Sequence, residues 1–193
     1  FKWYVDKLLP VEFAQGNPYA NLEKEAGKLK PGESGLLALD WNNGNRTILV
    51  DPLLTGSIVG LTLHTTAPEI YRTLIEATAF GALVIINRVE EYGTKVKEVV
   101  TCGGLAEKSP IMMQIYADIF NRPMRISRSA QSCALGASIF GALAAGEFGG
   151  DILAAQKVMT GTKAIVYKPI AANVKTYAKL YKLYRQIHDA FGV

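Results

Sequence analysis

With 193 residues, 49% hydrophobic and 20% charged, and a net charge of +4, the chain has the makeup of one globular domain with a sizeable core. Its positive residues are scattered, its apolar runs are far too short to span a bilayer, and two cysteines cannot make a disulfide framework. Nucleic acid and membrane therefore drop out as partners, nothing suggests a metal site within the chain, and Cys102 and Cys133 read as reduced thiols of a cytoplasmic protein without a secretory signal.

The chain opens on Phe1 within "FKWYVDKLL", already a helical pattern, as an internal or C-terminal piece of a longer polypeptide would. Breakers then surround a short charged helix up to residue 34. "GLLALDW" (35–41) predicts a strand and "NNGNR" (42–46) a turn, followed by irregular or extended chain in which Pro52 argues against a central strand. Asp40 and Asp51 read as turn residues, His64 and His188 as structural. Thr66 and Glu69 form a capping box that opens a long helix running to Gly93.

A strand is predicted over 96–102, a helix over 109–121 and a second strand over 123–127. A small-residue helix spans 133–146, another helix 151–159, and "KAIVYKP" an edge strand. An amphipathic helix closes the chain from Ile170 to Phe191, with Lys175, Lys179, Lys182 and Arg185 on a solvated face. Alternating strands and helices predict an α/β layer with some parallel pairing.

The stretch "TCGGLAEKSP" (101–110) carries the chemistry. A strand ends in Gly103-Gly104, a short loop follows, and Ser109-Pro110 is a natural N-cap and first helical residue. A glycine at the carboxyl end of such a strand lets a ligand lie on the main chain, and a helix start favours phosphate. The same pattern also serves a bare strand-to-helix turn. The P-loop pattern and the G-x-G-x-x-G fingerprint are both absent, although Arg125 and Arg128 could imitate a 2′-phosphate site.

"TCGGLAEKSPIMMQIYADIFNRPMRISRSAQSCALGASIFGALAAG" resembles the C-terminal signature of the FGGY carbohydrate kinases. "LDWNNGNRTILVDPLLTG", "EIYRTLIEATAFGA" and "DILAAQKVM" are similar to the ribulokinase branch of that family. The resemblance implies an α/β, actin-like ATPase (ribonuclease H-like) domain, the C-terminal half of a two-domain sugar kinase with ATP in the cleft. It implies that Gly103 and Gly104 run under the nucleotide. Ser109, preceded by Lys108, stands where the family often has an amide side chain near adenine and ribose. Asp118 matches an acidic position, with a helix-to-loop role, and Ala134 and Gly136 match packing residues of the interdomain helix.

The resemblance assigns no catalytic residue and no metal ligand to this chain. The catalytic aspartate, first phosphate loop and sugar pocket belong to an N-terminal sugar-binding domain of the same polypeptide, and a first phosphate-binding hairpin would precede Phe1. The implied cofactors are ATP and Mg²⁺, and the implied substrate is a pentulose, most closely L-ribulose. A homo-oligomer is compatible. A kinase for xylulose or another sugar, and a non-catalytic actin-like or dinucleotide-binding module, are the alternatives.

Overall fold

Helix α4, Ala67–Glu91, is the axis around which the other elements pack in the computed structural model, which describes residues 1–192. Its capping box forms as expected. Glu69 Oε2 accepts hydrogen bonds from the backbone N–H and the hydroxyl of Thr66, at 2.7 and 2.8 Å. Before it come α1 (Lys2–Lys7), α2 (Val11–Ala14) and α3 (Pro18–Ala26). Tyr71, Ile75, Ala79 and Phe80 of α4 are buried with Tyr4, Leu22 and Ala26 of those helices.

Strand β1 is Leu37–Leu39, and it pairs antiparallel with β2, Ser57–Val59, Leu37 lying opposite Val59. β2 falls within the stretch expected to be irregular or extended. Between them the chain forms a closed loop, in which Asn45 and Asp51 exchange backbone hydrogen bonds of 2.8 and 2.9 Å. Pro52 lies outside both strands, and its backbone sits on Gly44, where a Cβ would meet Pro52 Cα at 2.6 Å.

The second sheet is mixed. β3 (Val99–Thr101) is parallel to β4 (Met124–Ser127), and β4 is antiparallel to β5 (Thr162–Tyr167), which is the edge expected from the sequence. The parallel pair needs a crossover, supplied by α5 (Gly104–Lys108) and α6 (Pro110–Phe120). The other edge of β3 has no strand partner among the described residues, so the two sheets stay separate.

Helix α9, Ala171–Phe191, buries Tyr177, Tyr184 and His188 and leaves Lys175, Lys179 and Lys182 exposed, as its pattern predicts. Phe80 sits between Tyr177 and Tyr184, with ring centroids at 6.1 and 5.2 Å. Asp118, buried on α6, ties this helix down. Its carboxylate accepts from the backbone N–H of Ile170 (2.7 Å), from Asn173 Nδ2 (2.8 Å) and from Gln114 Nε2 (2.8 Å). This is the helix-to-loop role expected of it.

Helices α7 (Ser132–Ala144) and α8 (Ile152–Met159) pack on each other and less on the rest. Among the described residues α7 buries only Ile139, while Cys133, Ala137, Phe140, Gly141 and Ala144 are exposed. No helix among the described residues is long and apolar enough to cross a membrane.

Candidate functional site

The corner at the carboxyl end of β3 starts from the dihedral angles of Gly103, φ +93° and ψ 164°. An L side chain rarely adopts that φ, so the turn itself requires glycine at 103. The stretch expected to be a short loop is instead helix α5, with Gly103 as its N-cap. Leu105, Ala106, Glu107 and Lys108 are all good helix formers, but without a Ser, Thr, Asp or Asn cap the sequence carries no start signal for them.

Gly104 differs from its neighbour. Its φ is not positive, and a Cβ built on either glycine would meet nothing within 4 Å. The fold therefore gives no reason of its own for glycine at 104, and the surface above both residues is open. Beside it, Thr101, Cys102, Leu105, Ala106 and Tyr116 line a cavity of about 250 Å³.

The other two candidates differ in exposure. Lys108 is exposed at the end of α5. Ser109 is 4% exposed, and its hydroxyl accepts the backbone N–H of Met112 at 3.3 Å, capping α6 as the Ser-Pro pair predicts. Burial raises the nearby Glu23 carboxyl, and a hydrogen bond from Ser109 tempers that rise. The hydroxyl is thus engaged on the inner side of the corner. Arg125 Nε pairs with Glu98 at 3.1 Å and Arg128 Nη2 donates to the carbonyl of Thr160 at 3.2 Å, so both arginines have partners within the chain.

Asp51 behaves as the turn residue it resembles, its Oδ1 accepting the Leu53 N–H at 2.8 Å. Asp40 does not. It is half-buried after β1, its carboxylate resting on the backbone of α4 at Gly81. Gly81 within a helical period was the one sequence signal of that close approach. Asp40 faces a cavity of about 290 Å³, which shares Thr78 with the cavity beside the glycine pair. His188 is buried with its ring edge-on to Trp41 at 5.2 Å, a structural role, and His64 is exposed. Cys102 and Cys133 are exposed and unbonded. Among the described residues no group of three or more His, Cys, Asp or Glu side chains could hold a metal ion.

Known proteins give this geometry its context. The FGGY family of carbohydrate kinases, C-terminal domain, matches residues 1–145. A ribulokinase from Anoxybacillus flavithermus is 46% identical over 100% of this chain, which covers 36% of that protein. A ribulokinase from Halalkalibacterium halodurans is 50% identical over 91% of the chain and 32% of its own length. A ligand-bound xylulose kinase from Lactobacillus acidophilus superposes with a TM-score of 0.84 at 28% identity, over 98% of this chain and 37% of that one. The chain thus spans about a third of the relatives it matches, and it belongs to the FGGY family of carbohydrate kinases, whose C-terminal domain it carries.

Proposed function

We propose that this domain carries ATP in an enzyme that transfers the γ-phosphate to a hydroxyl of a pentulose, L-ribulose. The observation that carries this reading is the open glycine pair at the end of β3, in a chain 46% identical throughout to a ribulokinase. The backbone of Gly103 and Gly104 would support the adenosine, since nothing of the chain's own lies above it. Lys108 stands at the rim as an exposed cation able to meet phosphate. Ser109 holds the start of α6 and so fixes the corner, while its buried hydroxyl makes no direct contact with the base.

ATP, when bound, supplies the phosphoryl group. The residues of this chain bind and orient it, and closing of the cleft excludes water. Among the described residues no group of three or more His, Cys, Asp or Glu side chains would hold a metal, so Mg²⁺ would be carried by the phosphates of the nucleotide. The base that takes the hydroxyl proton comes from the rest of the polypeptide.

Two surfaces support attachment of the rest of the polypeptide. One is the unpartnered edge of β3, suited to the first phosphate-binding hairpin. The other is the exposed apolar stripe of α7, on which Phe140 is 63% exposed. A cytoplasmic location accords with ATP as donor. The test is phosphorylation of a panel of ketoses by the full-length enzyme. L-ribulose should give the highest kcat/KM. A panel in which D-xylulose or a hexose exceeds it would overturn the substrate, and no phosphorylation of any sugar would overturn the activity.

A further inference from the structure

A groove lies between the C-terminal parts of α4 and α6 and the first half of α9, with a volume of about 590 Å³, within the range of small-molecule sites. Val96 and Lys97, which line it, precede β3, and Asn121 and Arg122 precede β4. Because β3 and β4 are parallel, the groove sits at the amino ends of both strands. Gly103 and Gly104 follow the carboxyl end of β3, and the groove shares no lining residue with the cavity beside them.

The lining has two characters. Leu83, Ile119, Val174 and Tyr181 make it apolar. Its charged groups are all cations, Lys97, Arg122 and Lys182, and among the described residues no Asp or Glu lines it. Arg122 is already engaged within the fold. Its Nε donates to the Val96 carbonyl, its Nη1 to the Phe120 carbonyl and its Nη2 to Glu90 Oε1, each at 2.7 Å. The amide of Asn87 is engaged as well, donating to the Tyr181 hydroxyl at 3.0 Å. Lys97 and Lys182 are exposed and have no ion-pair partner among the described residues. A ligand would therefore meet apolar surface and two uncompensated ammonium groups. A cation is repelled, and a polyol finds no carboxylate to accept its hydroxyls. An organic anion with an apolar body matches both halves of the lining.

We propose that this groove is a binding site for a small organic anion, an apolar body of one or two rings bearing one acidic group, with the body against Val174 and Tyr181 and the acidic group in the field of Lys97 and Lys182. The proposal goes beyond the kinase reading and does not depend on it. It gives the domain a second ligand site, which the nucleotide does not share.

The experiment titrates the full-length enzyme, with and without saturating ADP, by fluorescence. The probe is 8-anilinonaphthalene-1-sulfonate, an apolar body with one sulfonate, and N-phenyl-1-naphthylamine, the same rings without the charge, is the neutral control. Lys97→Gln combined with Lys182→Gln removes both charges and keeps most of each side-chain stem. Ala178→Trp, at an exposed position in the lining, fills the groove. Wild-type enzyme should bind the sulfonate equally with and without ADP. The double glutamine variant, with an unchanged melting temperature, should weaken the sulfonate about fivefold or more, the scale of two exposed ion pairs, and leave the neutral probe within about twofold. Ala178→Trp should abolish binding of both probes, and if it fails to fold the glutamine variant decides alone. Displacement of the sulfonate by ADP, an unchanged sulfonate constant in the glutamine variant, or equal losses of the two probes there would overturn the proposal. None of these results bears on turnover, so the kinase reading stands or falls separately.

Discussion

Two regions of this domain treat polar groups in opposite ways. Between α4 and α9 the buried Arg72, Glu76 and Tyr177 are matched to one another, while the Tyr184 hydroxyl beside them has no partner. Arg72, 6% exposed, donates from Nε to Glu76 Oε1 at 2.8 Å, from Nη1 to the Ala26 carbonyl at 3.1 Å and from Nη2 to the Tyr177 hydroxyl at 2.9 Å. The Tyr177 hydroxyl in turn donates to Glu76 Oε1 at 2.7 Å. These bonds tie α3, α4 and α9 together. At the β3–α5 corner the backbone turns through two glycines and presents open space. A closed network of this kind serves the fold, since a buried charge is tolerated only when it is paired. At Gly104, where the fold itself does not require glycine, the open surface is the one proposed above for the nucleotide.

The sharpest way to break this comparison is to ask what the domain does alone. The isolated 193-residue chain should phosphorylate no sugar at a measurable rate, because the base is supplied from outside it, and loss of a positioned base alone costs about 10²–10⁴ in rate. Robust turnover of L-ribulose by the purified chain would contradict the division of labour proposed above.

In the full-length enzyme, Glu76→Ala leaves Arg72 buried without its carboxylate. The expected loss is about 3–5 kcal/mol, read by urea denaturation. Enzyme that remains folded should bind ATP as the wild type does. A variant of normal stability with weakened ATP binding would move this network from the fold to the site.

These two regions also differ in how much of each was legible. The capping box at Thr66, the Ser109-Pro110 helix start, the edge strand and the amphipathic last helix are all local signals, carried by residues three or four apart or by strict periodicity, and each appears where the sequence places it. The Arg72–Glu76–Tyr177 network could not be read that way, because Tyr177 is more than 100 residues from both partners. The α5 turn and the β1–β2 pairing were missed because each is only three to five residues long. At the corner itself, Gly103 and Gly104 were legible as a pair. That only Gly103 has positive φ, and that Ser109 points inward, depends on the course of the backbone.

Smaller effects sharpen the contrast. Ser109→Ala removes a side-chain cap from α6 and should cost about 1 kcal/mol of stability, with the ATP dissociation constant unchanged. A weakened ATP constant at full stability would restore Ser109 to the nucleotide's contacts. Smaller still is the contribution of Glu90, whose carboxyl is held below its ordinary value of 4.5 chiefly by a hydrogen bond from Arg122. A depressed carboxyl stabilises the folded state fully above that ordinary value, and the stabilisation fades as pH falls through the lowered one. Acid unfolding of Glu90→Gln should therefore depend less steeply on pH below 4.5 than that of the wild type. Identical profiles would show that the pair contributes nothing.

The central claim, that the glycine pair is open for a nucleotide, is tested most directly by Gly104→Val in the full-length enzyme, with the ATP dissociation constant and the melting temperature measured on the same preparation. At 104 the φ is not positive and no atom lies within 4 Å of a Cβ, so the fold should tolerate valine, apart from the modest helix cost of a β-branched residue. The expected result is an ATP constant weakened about tenfold or more, with the melting temperature within a few degrees of the wild type. A large fall in melting temperature with an unchanged ATP constant would contradict the claim and leave the glycines as parts of a turn alone.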